Sequence, residues 1–214
     1  MTRRAIAGAA IVFAVGALGT LGTLSLAQAG RIPSPTGVAS TEIRGKYDNN
    51  ASELAYLGGK WIEITYGRPI KRGRDLWGSG ANYGQNLNSG APVWRAGANV
   101  STRLKTELPL VINGKTVPAG EYSLFIDLKP ANWTLIVSRW AAQKEYNPGN
   151  REALWGSFDY TPDNDVVRAP MKLEILPHSV DQLTWEFLDM SVASGVMVIE
   201  WDKTMATVPF KVGP

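Results

Sequence analysis

The strongest constraint on the fold is a two-residue turn, Asn113-Gly114, set between the apolar run at 108–112 and the short run Lys-Thr-Val at 115–117. A type I′ turn needs positive φ at both central residues, and Asn-Gly is the pair that best tolerates this. The pattern therefore predicts a β-hairpin. Other alternating runs, each bounded by Pro, Gly, Asn or Asp, predict strands at 102–106, 122–128, 133–138, 153–160, 166–169, 171–176, 183–190, 196–202 and 205–212.

Two further strands are expected earlier, at 38–43 and 61–66. Residues 51–57 predict a short helix, with Ser52 as its cap and Gly58 after its end. The sequence contains no heptad pattern, long helix or tandem repeat. About ten short strands with regular turns predict an all-β fold, an antiparallel sandwich of jelly-roll type with little helix.

The first 29 residues are organised as a secretory signal peptide, with Arg3 and Arg4, an apolar run and an Ala-Gln-Ala site at 27–29. An uncleaved membrane anchor is the alternative. Cleavage leaves 30–214 as a single domain, long enough for its own core, and predicts a periplasmic or extracellular protein with no membrane attachment. The two leader arginines account for two units of the formal net charge of +3. The remainder has no basic stripe, so nucleic acid is not an expected partner.

One stretch, 61–99, combines arginine, tryptophan and glycine in an unusual way. Its first strand ends at Gly67-Arg68-Pro69, where proline should stop regular pairing. A guanidinium is a flat, permanently charged fork that binds carboxylate or phosphate and stacks on aromatic rings. A binding site for an acidic small molecule, a glycan or a protein is therefore predicted at Tyr66, Arg68, Arg74, Trp94, Arg95 and Asn99.

Two points in this stretch stay open. Each arginine could instead pair with a nearby carboxylate such as Glu63 or Asp75 and fix a loop. The segment 78–92 is rich in Gly, Asn and Ser, which predicts a long surface loop. The loop could be a flap over the arginines or a simple insertion.

Five motifs occur in order along the chain: Ile-Thr-Tyr-Gly-Arg-Pro at 64–69, Gly-Arg at 73–74, Val-Trp-Arg-Ala-Gly-Ala-Asn at 93–99, Ile-Asn-Gly-Lys at 112–115 and Pro-Ala-Gly-Glu-Tyr-Ser-Leu-Phe at 118–125. Together they resemble one family of exported bacterial proteins, the domain-of-unknown-function 2911 family. The family usually has an acidic residue where this chain has Val100, and the segments 45–60 and 79–91 carry extra residues. The resemblance implies export and a β-sandwich-like fold, and it implies no activity.

The inventory of reactive side chains is small. His178 is the one histidine and there is no cysteine, so no metal site, cofactor or catalytic residue is assigned. A calcium site at Asp159, Asp163 and Asp165 is an alternative, although the spacing lacks the full loop signature. Strand carboxylates could form a hydrolytic pair if two of them face one cleft. They are Glu63, Glu121, Asp127, Glu174 and Glu186.

The tryptophans fall into two groups. Those at 133, 185 and 201 lie inside strand patterns and are predicted to be core. Trp61 begins a strand, and those at 77, 94, 140 and 155 lie in or beside loops, where each either anchors the loop or offers a face to a ligand. Together these features predict a non-catalytic binding or structural module of the cell envelope with an Arg/Trp-lined site. The alternatives are a carboxylate-dependent hydrolase acting on envelope polysaccharide, and a purely architectural envelope protein.

Overall fold

The computed structural model describes residues 33–50 and 55–213, and the predicted signal peptide lies outside this range. Strands hold 53% of the described residues and helices 6%, which confirms the all-β prediction. In chain order the strands are β1 Thr36–Ile43, β2 Lys46–Asp48, β3 Ala55–Leu57, β4 Lys60–Gly67, β5 Thr102–Thr106, β6 Leu110–Ile112, β7 Lys115–Val117, β8 Gly120–Asp127, β9 Thr134–Ser138, β10 Ala141–Ala142, β11 Ala153–Leu154, β12 Asp165–Pro170, β13 Lys172–Leu188 and β14 Ser194–Val212.

Two sheets form the body of the protein. One has six strands in the order β1-β4-β5-β8-β9-β12, and the other has four in the order β13-β14-β6-β7. All neighbours in both sheets are antiparallel. The edge strand β1 lies beside β13, and the edge strand β12 lies beside β7. The two layers therefore approach each other along both edges, which protects edge strands from pairing with other chains.

The Asn113-Gly114 turn, which most constrains the fold, forms as predicted. β6 pairs with β7, and Asn113 and Gly114 have φ values of 48° and 73°. Positive φ at both positions is the geometry of a type I′ turn, which matches the right-handed twist of the flanking strands. The local sequence therefore fixes the register of this hairpin.

The C-terminal strands are longer than predicted. The four predicted runs from 171 to 212 form two continuous strands, whose register is irregular between Ile175 and Thr184. Asp202, opposite this region, has a φ of 54°. Bulged residues bend a strand, and here the backbone N–H of Val212 donates to the carbonyl of Ala193 at 2.8 Å. The hairpin thus folds back until its last residues meet its turn.

Strand alternation places the core as expected. On β4, Ile62, Ile64 and Tyr66 are buried and Trp61 is 49% exposed. The core predictions for Trp133, Trp185 and Trp201 are confirmed, since each is at most 2% exposed.

One local prediction is corrected. Residues 55–57 form β3, which pairs with β2, so the predicted helix is wrong there; residues 51–54 lie outside the described range. The segment 78–92, predicted as a long surface loop, contains a 3₁₀ turn at Gly80–Asn82 and the helix α1 at Gln85–Asn88. Leu87 packs on the core, and the Tyr83 hydroxyl accepts a hydrogen bond from the indole of Trp133 at 2.9 Å.

No helix in the described residues is long and apolar enough to cross a membrane.

Candidate functional site

Two of the six predicted binding residues, Tyr66 and Trp94, lie inside the sandwich core. Their exposed fractions are 3% and 1%. The backbone of Trp94 forms a two-bond bridge with Ile126, and its indole N–H donates to the carbonyl of Gly97 at 3.2 Å. Neither side chain has a face open to a ligand, so the structure favours a structural role over the predicted contact.

Two of the predicted arginines, Arg68 and Arg74, donate hydrogen bonds to nearby backbone carbonyls. Arg68 donates to the Leu183 carbonyl at 3.2 Å and to the Thr184 hydroxyl at 3.1 Å. Arg74 donates to two carbonyls of the preceding turn, and its guanidinium lies 5.7 Å from the ring centre of Trp201. The alternative pairing with Glu63 or Asp75 is therefore wrong. Those carboxylates accept instead from the Thr65 hydroxyl and the Gly78 N–H.

The third arginine, Arg95, has a different environment. Its Nη1 donates to the carbonyl of Asn99 at 2.6 Å, and its guanidinium lies 5.5 Å from the ring centre of Phe158. Asn99, with a φ of 63°, donates to the carbonyl of Ser34 at 3.2 Å. Burial lowers the pKa of Arg95 below its ordinary value. The three guanidinium groups thus have three separate sets of partners, and Arg95 is the one that contacts an aromatic ring of the segment 139–164.

That segment covers the outer face of the large sheet. On β8 and β9, Leu124, Ile126, Leu135 and Val137 belong to the main core, while their neighbours Phe125 and Ile136 point to the opposite face. There they form a second apolar cluster, which also contains Val93, Leu154 and Tyr160 and has Trp140 packed against it. Both faces of these strands are therefore buried.

Below the segment, a polar network fixes Tyr160. Its hydroxyl donates to Asp165 at 2.7 Å and accepts from Arg168 at 3.1 Å, and Arg168 also pairs with Asp127 at 3.0 Å. Burial, followed by the hydrogen bond to Asp165, raises the pKa of Tyr160 well above its ordinary value. The ring of Tyr160 lies 5.1 Å from that of Phe125, so the network holds the second cluster against the sheet.

One side chain, Gln143, organises the loop that follows β10. Its Nε2 donates to the carbonyls of Asn147, Asn150 and Ala153 at 3.1, 3.3 and 2.8 Å. Its Oε1 accepts from the Asn147 N–H at 2.8 Å, and its backbone N–H donates to Leu154. Gln143 is 7% exposed, so these bonds are inside the loop rather than in water. The predicted strand at 153–160 is limited to β11, which pairs in parallel with β10.

A cleft of about 570 Å³ opens between this loop and the residues that follow β11. It is lined by four aromatic side chains, three amides and one ion pair. Tyr146 is 64% exposed and Phe158 is 42% exposed, and the rings of Tyr146 and Trp155 are 5.9 Å apart at 62°. These side chains are Trp140, Tyr146, Trp155 and Phe158; Gln143, Asn147 and Asn150; and Arg151 with Asp159, and Pro148, Ala153 and Leu154 complete the lining.

Arg95 does not line this cleft, but its guanidinium lies against Phe158, which does. Gly156 has a φ of 66°, and a methyl group there would overlap the Arg95 guanidinium. Glycine suits both this backbone angle and the close approach of the Arg95 side chain. Phe158 thus contacts an arginine that the sequence singled out, although the predicted site and the cleft are otherwise different.

The cleft offers little for acid–base or metal chemistry. Asp159 is its one carboxylate, and it pairs with Arg151 at 3.1 Å. A second cleft, of about 480 Å³ beside the Asn113-Gly114 turn, also has one carboxylate, Asp189. Burial, and then the charge of Glu186, raise the pKa of Glu200, but Glu200 lines neither cleft. In the described part of the chain no group of three His, Cys, Asp or Glu could hold a metal, so the calcium alternative gains no support.

The cleft residues that sequence reasoning missed are Gln143, Tyr146, Asn147, Asn150, Arg151 and Phe158. The sequence held one sign of this cleft, the two apolar triplets at 124–126 and 135–137. Three consecutive apolar residues in a strand indicate that both faces of the strand are buried. The segment 139–164, which has few predicted strands, could have been recognised as the part of the chain that covers the second face. Trp140 and Trp155 were recognised as loop residues, and they prove to be the ones with a face toward a cleft.

The fold and the cleft define a class: an all-β sandwich with an aromatic cleft outside its main core. The chain belongs to the family described as Protein of unknown function (DUF2911), whose model matches residues 49–210. This confirms the resemblance drawn from the motifs. No curated protein and no solved structure matches the chain.

Proposed function

We propose that this protein is a non-catalytic binding module of the cell envelope, exported by its N-terminal leader, which holds a small ring-bearing ligand in the aromatic cleft. The observation that supports it is the lining of the cleft, where Trp140, Tyr146, Trp155 and Phe158 surround a space of about 570 Å³. Ligand sites commonly have this size and combine apolar walls with a few polar groups.

The cleft has features of a maintained site rather than a packing defect. Gln143 makes five hydrogen bonds through its side chain and backbone to hold the loop open. The exposed rings of Tyr146 and Phe158 would be hydrated without a ligand, which costs free energy that binding recovers. A rigid loop also lowers the entropy cost of binding, because fewer side chains need to be ordered.

The hydrolase alternative has less support. Glycoside hydrolysis needs two carboxyl groups on either side of the scissile bond, one of them with a raised pKa. Asp159 has no second carboxylate beside it in the cleft, and its charge is already paired with Arg151.

The test is a binding screen of ring-bearing metabolites and oligosaccharides by ligand-observed NMR, followed by calorimetry on any hit. Trp155→Ala should weaken a hit about tenfold, as expected for loss of an aromatic contact of more than 1 kcal/mol. Trp61→Ala is the matched control, because Trp61 is exposed on the outer face of β4 and does not line the cleft. A hit that Trp155→Ala leaves unchanged would place the ligand elsewhere.

A further inference from the structure

Two asparagine side chains in the cleft have a fixed orientation. Oδ1 of Asn147 accepts from the backbone N–H of Gly149 at 2.9 Å. Oδ1 of Asn150 accepts from the N–H groups of Glu152 and Ala153 at 2.9 and 3.2 Å. A backbone N–H can only donate, so the oxygen end of each amide must face the turn. The Nδ2 groups therefore point away from the backbone.

These two Nδ2 groups are available as donors. Both residues are exposed and line the cleft, and the described residues give neither Nδ2 a hydrogen-bond acceptor. Gln143 differs, because its amide is fully used inside the loop. The two amides thus offer a ligand neutral N–H donors beside the aromatic walls, and such donors pair with acceptor oxygens.

The aromatic walls favour a ring with C–H faces over a flat aromatic ring. The rings of Tyr146 and Trp155 meet at 62°, so they do not form the parallel slot that a planar heterocycle would fill. The π face of an aromatic ring is negative and attracts weakly positive hydrogens. A pyranose has C–H hydrogens on its faces and hydroxyl oxygens around its rim, which matches an aromatic wall bordered by N–H donors.

The charge of the cleft favours a neutral ligand. Arg151 and Asp159 are the charged side chains in its lining, and their Nη1 and Oδ2 atoms are 3.1 Å apart. The formal charges cancel, and an acidic ligand would have to compete with Asp159 for the guanidinium. Charged ligands are usually held by uncompensated groups.

From these features we infer that the ligand is a neutral saccharide, whose pyranose ring lies on Trp155 and Tyr146 and whose hydroxyl oxygens accept from Asn147 and Asn150. This inference rests on the proposed function, because it names the ligand class of the same cleft.

The experiment measures calorimetric affinity for neutral disaccharides of glucose, N-acetylglucosamine and xylose. Galacturonic acid, a purine nucleoside and a proline-rich peptide are the comparison probes. Asn147→Asp and Asn150→Asp remove the Nδ2 donors and keep an oxygen that can accept from the same turn. We expect each to weaken saccharide binding about 3- to 10-fold with unchanged melting temperature. Asn132→Asp makes the same charge change outside the cleft and should leave the affinity unchanged.

The outcomes separate the two proposals. If a nucleoside or the proline-rich peptide binds in a Trp155-dependent way and no saccharide does, the binding module stands and the saccharide inference is overturned. If galacturonic acid binds more tightly than the neutral sugars, the inference of a neutral ligand is overturned. If saccharide binding survives both Asn variants, the donors do not select the ligand. If nothing binds in a Trp155-dependent way, both proposals fail.

Discussion

Two groups of four aromatic side chains show how the same residue types take opposite roles in one molecule. The closed group consists of Trp77, Trp94, Trp133 and Trp201, and the open group consists of Trp140, Tyr146, Trp155 and Phe158. In the closed group Trp94 stacks on Trp201 at 6.1 Å and 14°, and Trp77 lies 4.6 Å from Trp133. In the open group, by contrast, Tyr146 and Phe158 are 64% and 42% exposed.

The difference follows from what lies opposite each group. The closed group lies in or against the main core, with Trp94 bridged to β8 of the six-stranded sheet and Trp201 on β14 of the other sheet. Three of its members are at most 2% exposed. The open group is carried by the segment 139–164, which rests on the outside of one sheet and has no second sheet above it. An aromatic residue in a loop is therefore buried when its loop enters the space between layers. It stays available when the loop lies over an outer face.

The largest effect that would test this comparison is on stability. Trp94→Ala should lower the free energy of unfolding by about 3–5 kcal/mol, because it leaves a large cavity between the sheets. It also removes the indole hydrogen bond to Gly97. Trp155→Ala should lower the free energy of unfolding by less than about 1 kcal/mol, because the Trp155 side chain already borders a cleft and its removal leaves no closed cavity. Urea unfolding followed by far-ultraviolet circular dichroism measures both.

Equal losses in the two variants would mean that the cleft wall is part of the cooperative core. In that case the open group would be structural, and the proposed binding role of Trp155 would lose its basis.

The fold was largely predictable because its signals are local. The alternation at 61–66 shows which side chains share the buried face, and the Asn113-Gly114 turn fixes the register of its hairpin within a few residues. The error at 55–57 has a tertiary cause. The Tyr56 ring packs against Tyr47 at 5.0 Å and its hydroxyl accepts from Gly45 at 2.8 Å, which favours the strand pairing of β3 over a helix.

The site was less predictable because it depends on contacts between distant segments. Trp94 and Trp155 both lie beside glycine-containing loops, and local sequence does not show which loop enters the core. Arg95 was singled out for its chemistry, but its neighbour Phe158 is 63 positions further along the chain. Sequence identified the residue types of a site, whereas the topology decided which of them meet.

A smaller effect concerns how the open group is held. Gly156→Ala should lower the free energy of unfolding by about 1–3 kcal/mol and weaken any cleft ligand, because it combines positive-φ strain with overlap on Arg95. Gly73→Ala is the matched control. Its φ of 71° is similar and nothing lies within 4 Å, so it should show the backbone strain alone. If both variants lose equal stability and bind equally well, the contact between Gly156 and Arg95 does not position the cleft.

The smallest expected effect concerns two ion pairs, one beside each aromatic group. Asp202 follows Trp201 and pairs with Lys71 at 2.6 Å, and Asp159 follows Phe158 and pairs with Arg151 at 3.1 Å. Both aspartates have positive φ, which asparagine also tolerates, so Asp→Asn changes the charge without new strain. The Lys71 pair is about one-fifth exposed, whereas the Arg151 pair is about three-quarters exposed.

The hydrogen bond from Lys71 lowers the pKa of Asp202. A carboxylate with a lowered pKa in the folded state stabilises the protein above its unfolded value of about 3.9, and this contribution is lost as the pH falls through the folded value. Asp202→Asn should therefore cost about 0.5–1 kcal/mol near neutral pH, and the difference from wild type should shrink below about pH 4. Asp159→Asn should follow wild type throughout, because an exposed pair contributes little. The measurement is the urea midpoint of wild type and both variants from neutral pH to below about pH 4. A pH-dependent loss in Asp159→Asn as large as that in Asp202→Asn would show that the cleft mouth is as tightly coupled to folding as the closed group.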